Sequence, residues 1–421
     1  MNWKTIFVAV FASIRVMCNA QGLSLEEAMN TANSTQLSEA EWQQRIAALK
    51  LESAKANRLP MIYGDANLQR NLIIPVTPVP AIAFNPNAEQ GEMMPLRFAT
   101  DWTAKAGLQG SFDLFNPQNH TAIEEAKLNE AKAAVEIENQ KASLKRTITD
   151  LYAQCLLSME QSKIAEATWN NYREIEQIIK ARYEEGRASE IEYNKTLQKL
   201  NELEQLLREA NAIVRINVNN LSEFIQLDGV PELTTSLEEI MQTATDDDDF
   251  ERKQLQLDWH NTNYKWKKIN MEALPKLTLN AYYGTNHYSN SFDLLNSQYW
   301  YGNSFVNLSI RIPITETYNR SITRNQLQHQ LKLTQLQLDD LQKKDAIKKL
   351  NKAENLNMYQ SRVASALKNL QLAESNLKLV EEQVKSGRVL ITELNKEMDN
   401  YFTAQKNVWQ AQYDYIKKLI E

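Results

Sequence analysis

Two carboxylates occupy matching places in this chain. Glu192 lies six residues past Gly186 in "RYEEGRASEIEYNK", and Glu393 lies six past Gly387 in "QVKSGRVLITELNK". A single Glu on a helix surface is ordinarily just solvated, so residue type alone gives neither a role. Other chemistry-bearing groups are less well arranged. The aspartates at 246–249 could hold calcium but lack the ligand spacing of a known loop. They suit the start of a helix, with Asp249 or a neighbour as N-cap and the negative charge complementing the helix dipole. His120, His260, His287 and His329 are scattered, with no metal-ligand spacing. Nothing resembles a nucleophile elbow, a zincin motif or a Gly-rich phosphate loop. No enzyme activity, metal or cofactor is expected, so any energy must come from a partner.

The elements that place these residues must be long. A chain of 421 residues carries only 10 Gly and 10 Pro, too little punctuation for many short elements. Its net charge of −6 leaves no basic footprint, which excludes nucleic acid as a partner. Residues 1–20 read as a secretory signal peptide: Lys4, an apolar stretch over 6–14, then small residues up to Ala20, after which cleavage is expected. Arg15 interrupts the apolar stretch. Acylation at Cys18 is the rival reading, but Val16 and Met17 stand where a lipoprotein signal wants small residues. Cleavage leaves Cys155 as the single thiol, so the mature chain has no internal disulfide and fits a bacterial envelope protein.

The two glycines stand about two hundred residues apart, and Arg187, Glu192, Asn194 and Lys195 match Arg388, Glu393, Asn395 and Lys396. After Gly387, Ile391, Leu394, Met398, Tyr401, Gln405, Val408, Gln412, Tyr415 and Leu419 follow the three-four spacing of a coiled-coil seam. The same seam follows Gly186, with its polar interruptions in register. Before Gly387 it is cleaner: Leu356, Tyr359, Val363, Ala366, Leu370, Ala373, Leu377, Val380 and Val384. Each glycine therefore sits between two long amphipathic helices, where a left-handed residue ends one and lets the chain reverse.

Upstream of each helical pair the period changes to two. "TAKAGLQGSFDLF" alternates Ala104, Ala106, Leu108, Gly110, Phe112 and Leu114 with Lys105, Gln109, Ser111 and Asp113, and "NSFVNLSIRIPI" sets Val306, Leu308 and Ile310 against Asn307, Ser309 and Arg311. Two further strands begin after Pro60 and near Pro275, where helical stretches stop. The strands are expected at about 61–72, 102–115, 275–286 and 299–313, as two hairpins, the first with a long Pro-rich loop and the second with a shorter one. Trp102 and Trp300 open corresponding strands, with Tyr299 and Tyr301 beside the second. Aromatics at strand ends suit the interfacial girdle of a membrane barrel. Four such strands cannot close a barrel, and open edges cannot face lipid, so copies of the chain must complete the sheet.

This order of elements, with "LSLEEAMNTAN" after the leader and "IPITETYNRSITRNQ" after the last strand, closely resembles the TolC-like outer membrane efflux proteins over essentially the whole mature chain. The resemblance implies a mainly α fold with membrane β structure. It would form two tandem repeats, at 21–230 and 231–421, of helix, β-hairpin and long helical hairpin. It further implies a homotrimer whose twelve-stranded barrel in outer-membrane lipid continues as a helical tunnel in the periplasm of a Gram-negative bacterium. Lys105, Gln109, Asp113, Asn307 and Arg311 would line the wet interior, since charge facing lipid is costly. Gly186, Arg187, Gly387 and Arg388 would meet a periplasmic adaptor protein coupled to an inner-membrane pump, either a resistance-nodulation-division or an ATP-binding cassette transporter. Glu192 and, more closely matched, Glu393 would narrow the closed entrance, although Lys396 stands where some relatives have a second acid. The chain itself would conduct substrate passively. A non-channel envelope scaffold built from coiled coils is the alternative. It accounts for the heptads and leaves the four alternating strands unexplained.

Overall fold

The structure is a computed structural model and describes residues 22–227, 229–242, 249–314, 316–385 and 391–420. The expected leader with Cys18, the aspartates 246–248, and Gly387 with Arg388 lie outside the described residues. The elements are α1 (Leu25–Thr31), α2 (Thr35–Ala56), β1 (Met61–Arg70), β2 (Val76–Pro80), β3 (Met93–Arg97), β4 (Trp102–Phe115), α3 (Pro117–Glu184) and α4 (Glu190–Ser222). They continue with α5 (Leu237–Met241), α6 (Phe250–Lys268), β5 (Lys276–Ser289), β6 (Trp300–Arg311), α7 (Glu316–Lys385) and α8 (Ile391–Ile420). Helices, strands and two long helical hairpins thus recur in the same order. Asp249 directly precedes α6.

The boundaries follow local chemistry. Pro60 bars its predecessor from helical backbone, so the turn after α2 gives way to β1. Pro117 occupies the first position of α3, where its missing N–H costs nothing, and the Gln118 N–H donates to the Asn116 side chain (3.1 Å). Strand β1 ends two residues earlier than expected. β5 runs three residues longer, to Ser289, because its pairing with β4 continues to Ser289 opposite Trp102.

The described residues divide into two compact units, each drawing on both halves of the sequence. The unit of residues 22–41, 136–250 and 340–421 is helical. Its core gathers Ile148, Tyr152 and Cys155 of α3, Val218 and Leu221 of α4, Leu25 of α1, Leu237 and Ile240 of α5 and Ile416 of α8. The short helices α1 and α5 are near-copies: "SLEEAM" at 24–29 and "SLEEIM" at 236–241 each form a capping box, Ser24 with Glu27 and Ser236 with Glu239. Buried Tyr152 ties them together. Its hydroxyl donates to the Leu23 carbonyl (2.7 Å) and accepts from the Thr235 N–H (3.1 Å). On α7 from Leu356 to Val380, the seam residues are the shielded ones, while almost every position between them is exposed. The polar interruptions of the seams find partners: Gln412 donates to Glu238 of α5 (3.2 Å), and Ser162 donates to Asn211 (2.7 Å).

The unit of residues 42–135 and 251–339 holds the sheet. Both expected hairpins are present, β1 with β4 and β5 with β6, and β4 pairs with β5 to join them into one antiparallel four-stranded sheet of order β1-β4-β5-β6. β1 and β6 are its edges. The Pro-rich connection after β1, expected as a loop, carries a second small sheet in which β2 pairs with β3. Helix α3 is held to α6 within this unit by Lys265–Glu125 (2.7 Å) and Lys132–Asp258.

Candidate functional site

Cross-strand register fixes which side chains share a face, because paired residues project the same way and neighbours along a strand alternate. On one face Lys105 pairs with Asn67 and Asn286, Gln109 with Tyr63 and Tyr282, and Asp113 with Thr278. Asn280 then pairs with Asn307, and Lys276 with Arg311. All five residues expected on the wet side, Lys105, Gln109, Asp113, Asn307 and Arg311, therefore lie on one polar face. Its charges are mostly matched: Lys105 pairs with Asp65 (3.0 Å), and Asp113 holds Lys276 (2.9 Å) while accepting from Thr278 (2.9 Å). Arg311 faces Lys276 across the strands. An aromatic row crosses this face, Tyr282 stacking near Phe305 (5.8 Å) beneath the Lys105 ammonium (4.3 Å). Tyr282 lies over the paired Gly107 and Gly284, where a Cβ on either would strike its hydroxyl.

The opposite face is apolar and open. Ile62, Leu108, Tyr283, Val306, Leu308 and Ile310 all belong to it by register, and each is more than half exposed, Val306 at 72%. The sheet thus has one polar face, one bare apolar face and, among the described strands, two edges, β1 and β6, that each pair on one side only.

The aromatics at the strand ends divide between the faces. Trp102 and Trp300 lie on the apolar face, opposite Ser289 and His287, whereas Tyr301 pairs with Asn286 on the polar one. Both tryptophans are half-buried. The Trp300 indole donates to the Leu294 carbonyl (2.9 Å), and Phe292 sits edge-on to Trp102 (centroids 4.8 Å). Tyr299 lies in a single helical turn just before β6, its ring 6.0 Å from that of His287.

In the helical unit, α3 ends at a tight reversal. Gly186 has φ +74°, the Arg187 N–H donates to the Arg182 carbonyl (2.7 Å) and the Gly186 N–H to that of Tyr183 (2.9 Å), the αL-glycine termination that lets the chain turn. Ser189 then caps α4 by accepting from the Glu192 N–H (3.2 Å). Glu192 thus has a structural place in the first turn of α4, with its side chain exposed. Exposed Arg187 pairs with Glu185 (3.3 Å). Glu393 stands in the first turn of α8 and pairs with Lys396 (3.3 Å), which tempers its charge.

Beside this reversal the two helical hairpins are joined through residues that spacing alone passed over. Ile175 and Ile179 of α3 pack with Met398 of α8, Lys199 of α4 reaches Asp399 of α8 (3.8 Å), and the Tyr172 hydroxyl approaches the Asn395 carbonyl (3.5 Å). Burial pushes the Tyr172 phenol well above its ordinary value, with the Asp399 carboxylate adding to the effect. The clue available in sequence was a tyrosine and a lysine interrupting otherwise ordinary helix faces, too weak to act on. Among the described residues no helix is long and apolar enough to cross a membrane.

Residues 29–225 match the family of outer membrane efflux proteins. No curated protein sequence matches the chain. Among solved structures, it is similar to the CmeC outer membrane channel of Campylobacter jejuni, with 14% identity and a TM-score of 0.69 over 94% of this chain and 84% of that one. VceC of Vibrio cholerae gives 13% identity and 0.69 over 94% of each chain. The open-state MtrE channel of Neisseria gonorrhoeae gives 14% and 0.69 over 94% of this chain and 86% of that one. Nearly the whole chain thus shares its fold with outer membrane channels, and residues 29–225 carry a sequence similar to that of the outer membrane efflux proteins.

Proposed function

We propose that three copies of this chain join edge to edge, β6 of one to β1 of the next, into a twelve-stranded barrel that passively conducts solutes out of the cell. The single observation that carries this reading is the open-edged sheet with one polar and one apolar face. In lipid, each unpaired edge N–H or C=O costs several kcal/mol, and closure on further copies removes that cost while putting the apolar face in hydrocarbon. Lys105, Gln109, Asp113, Asn307 and Arg311 then line the water-filled interior. The helical hairpins form a periplasmic tunnel, and their tips, at Gly186 with Arg187 and at Gly387 with Arg388, dock a periplasmic adaptor that couples the duct to an inner-membrane transporter. Glu192 and Glu393 narrow the entrance. Since Lys396 pairs with Glu393, this aperture relies less on charge than an all-acidic ring would. Light scattering of detergent-purified protein, followed by conductance in planar bilayers, tests the proposal. Trimers that open stable ion channels support it, whereas a detergent-stable monomer, or an assembly that never conducts, favours the scaffold.

A further inference from the structure

We propose that residues 290–299, the connection from β5 to β6, form a tab that seats in the outer leaflet of the membrane, with Phe292 and Leu295 entering the lipid interface in place of the half-covered tryptophans. The inference rests on the channel reading above. His287 and Trp300 project from the apolar face, opposite one another in register. Both are engaged by the tab. A carbonyl only accepts, so the His287 Nε2 carries the proton it donates to the Asp293 oxygen (2.9 Å), and the next carbonyl, of Leu294, takes the Trp300 indole N–H (2.9 Å). Phe292 caps the edge of Trp102, and the Asp101 N–H donates to Asn290 (3.3 Å). His287 is fully buried beneath this cover.

The tab is thus pinned onto the face that continues through Tyr283 and Val306, and its outermost side chains are Leu295, 100% exposed, and Phe292, 63% exposed. Large apolar groups left this bare in water forgo the free energy their burial would give. Further copies join in the plane of the sheet at its edges, whereas lipid covers the face. A segment lying on that face at the end of the strands remote from α3 and α7 therefore meets the membrane interface, where amphipathic and aromatic groups are favoured.

Site-directed nitroxide labelling of the full chain, inserted in phosphatidylethanolamine–phosphatidylglycerol vesicles, tests this. Leu295→Cys, Val306→Cys and Asn87→Cys, each with Cys18→Ala, place probes on the tab, on the apolar sheet face and on the exposed Pro-rich connection. Cys155 stays unlabelled because it is buried and its thiol is pushed up to about 12. The expected result is an oxygen-to-nickel accessibility ratio at 295 several-fold above that at 87 and below that at 306. If 306 is lipid-exposed while 295 matches 87, the tab sits in water and the inference is overturned. A probe at 295 shielded from both reagents marks a neighbouring copy as the true cover, which also overturns it. If 306 itself is in water, the channel reading fails instead.

Discussion

Placing an arginine on either side of one strand separates a membrane barrel from a water-soluble sheet. Val306 is the seventh of the twelve residues of β6 and pairs with Ala281 on the apolar face, whereas Asn307, the next residue, is on the polar face and accepts from the Asn280 amide (3.2 Å). In the proposed channel Val306 would lie near the bilayer midplane, where an arginine facing lipid costs about 2–4 kcal/mol. That corresponds to a loss of roughly 30- to 1,000-fold in the folding equilibrium for each copy. Asn307→Arg meets water and forfeits one exposed amide bond, so it should stay within about 1 kcal/mol. In the single chain both residues are exposed, Val306 at 72%, so a soluble sheet would take either arginine with little change. Urea titration of folding into lipid vesicles, read by the heat-sensitive gel shift of the folded form, measures the difference. Equal effects of Val306→Arg and Asn307→Arg would refute the assignment of faces.

Three further outcomes follow from particular contacts. Tyr152→Phe leaves the Leu23 carbonyl and the Thr235 N–H without their shared partner, so denaturant titration should show a loss of about 1–3 kcal/mol. Gly186→Val forces a β-branched residue to φ +74° at a cost of at least about 1–2 kcal/mol. Nothing lies within 4 Å of the new Cβ, so the strain is confined to the backbone of the tip. Adaptor binding, measured by calorimetry, should weaken while trimers persist. Burial, aided by its hydrogen bond to Asp150, raises the Tyr413 phenol from its ordinary 10 to about 12. The neutral form is the one the fold favours, so this stabilisation is complete below pH 10 and lost as pH climbs from 10 to about 12. The alkaline fall in unfolding midpoint should be shallower in Tyr413→Phe than in the unaltered chain.

Much of the architecture is legible in the sequence because hydrophobic period survives into burial. The α7 seam read from Leu356 onward is the face that is shielded, and alternation in β4 and β6 sorts Lys105 and Asn307 from Leu108 and Val306 without any structure. What escapes depends on contacts between distant segments. Spacing cannot show that Leu114 is passed over by a bulge in the β4–β5 register, because that depends on how β5 meets the strand. The β2–β3 pair escapes because Pro78 and Pro95 face each other, a pairing that forgoes ladder hydrogen bonds and looks like loop. The "SLEEAM" and "SLEEIM" repeat was in plain letters, yet helices of seven and five residues carry too few turns for a heptad to register. The covering of Trp102 and Trp300 was beyond reach, since it arises from a loop folding back on the sheet.

Whether the polar face borders a conducting lumen is tested most directly by single-channel recording with cysteines on neighbouring residues of β6. A bulky charged thiol reagent added to Asn307→Cys channels in a planar bilayer should cut the conductance in steps as successive copies react. The same reagent on Leu308→Cys should leave the current unchanged. Block at 308 with none at 307 would turn the sheet inside out, and the absence of any conductance from purified trimers would remove the channel altogether.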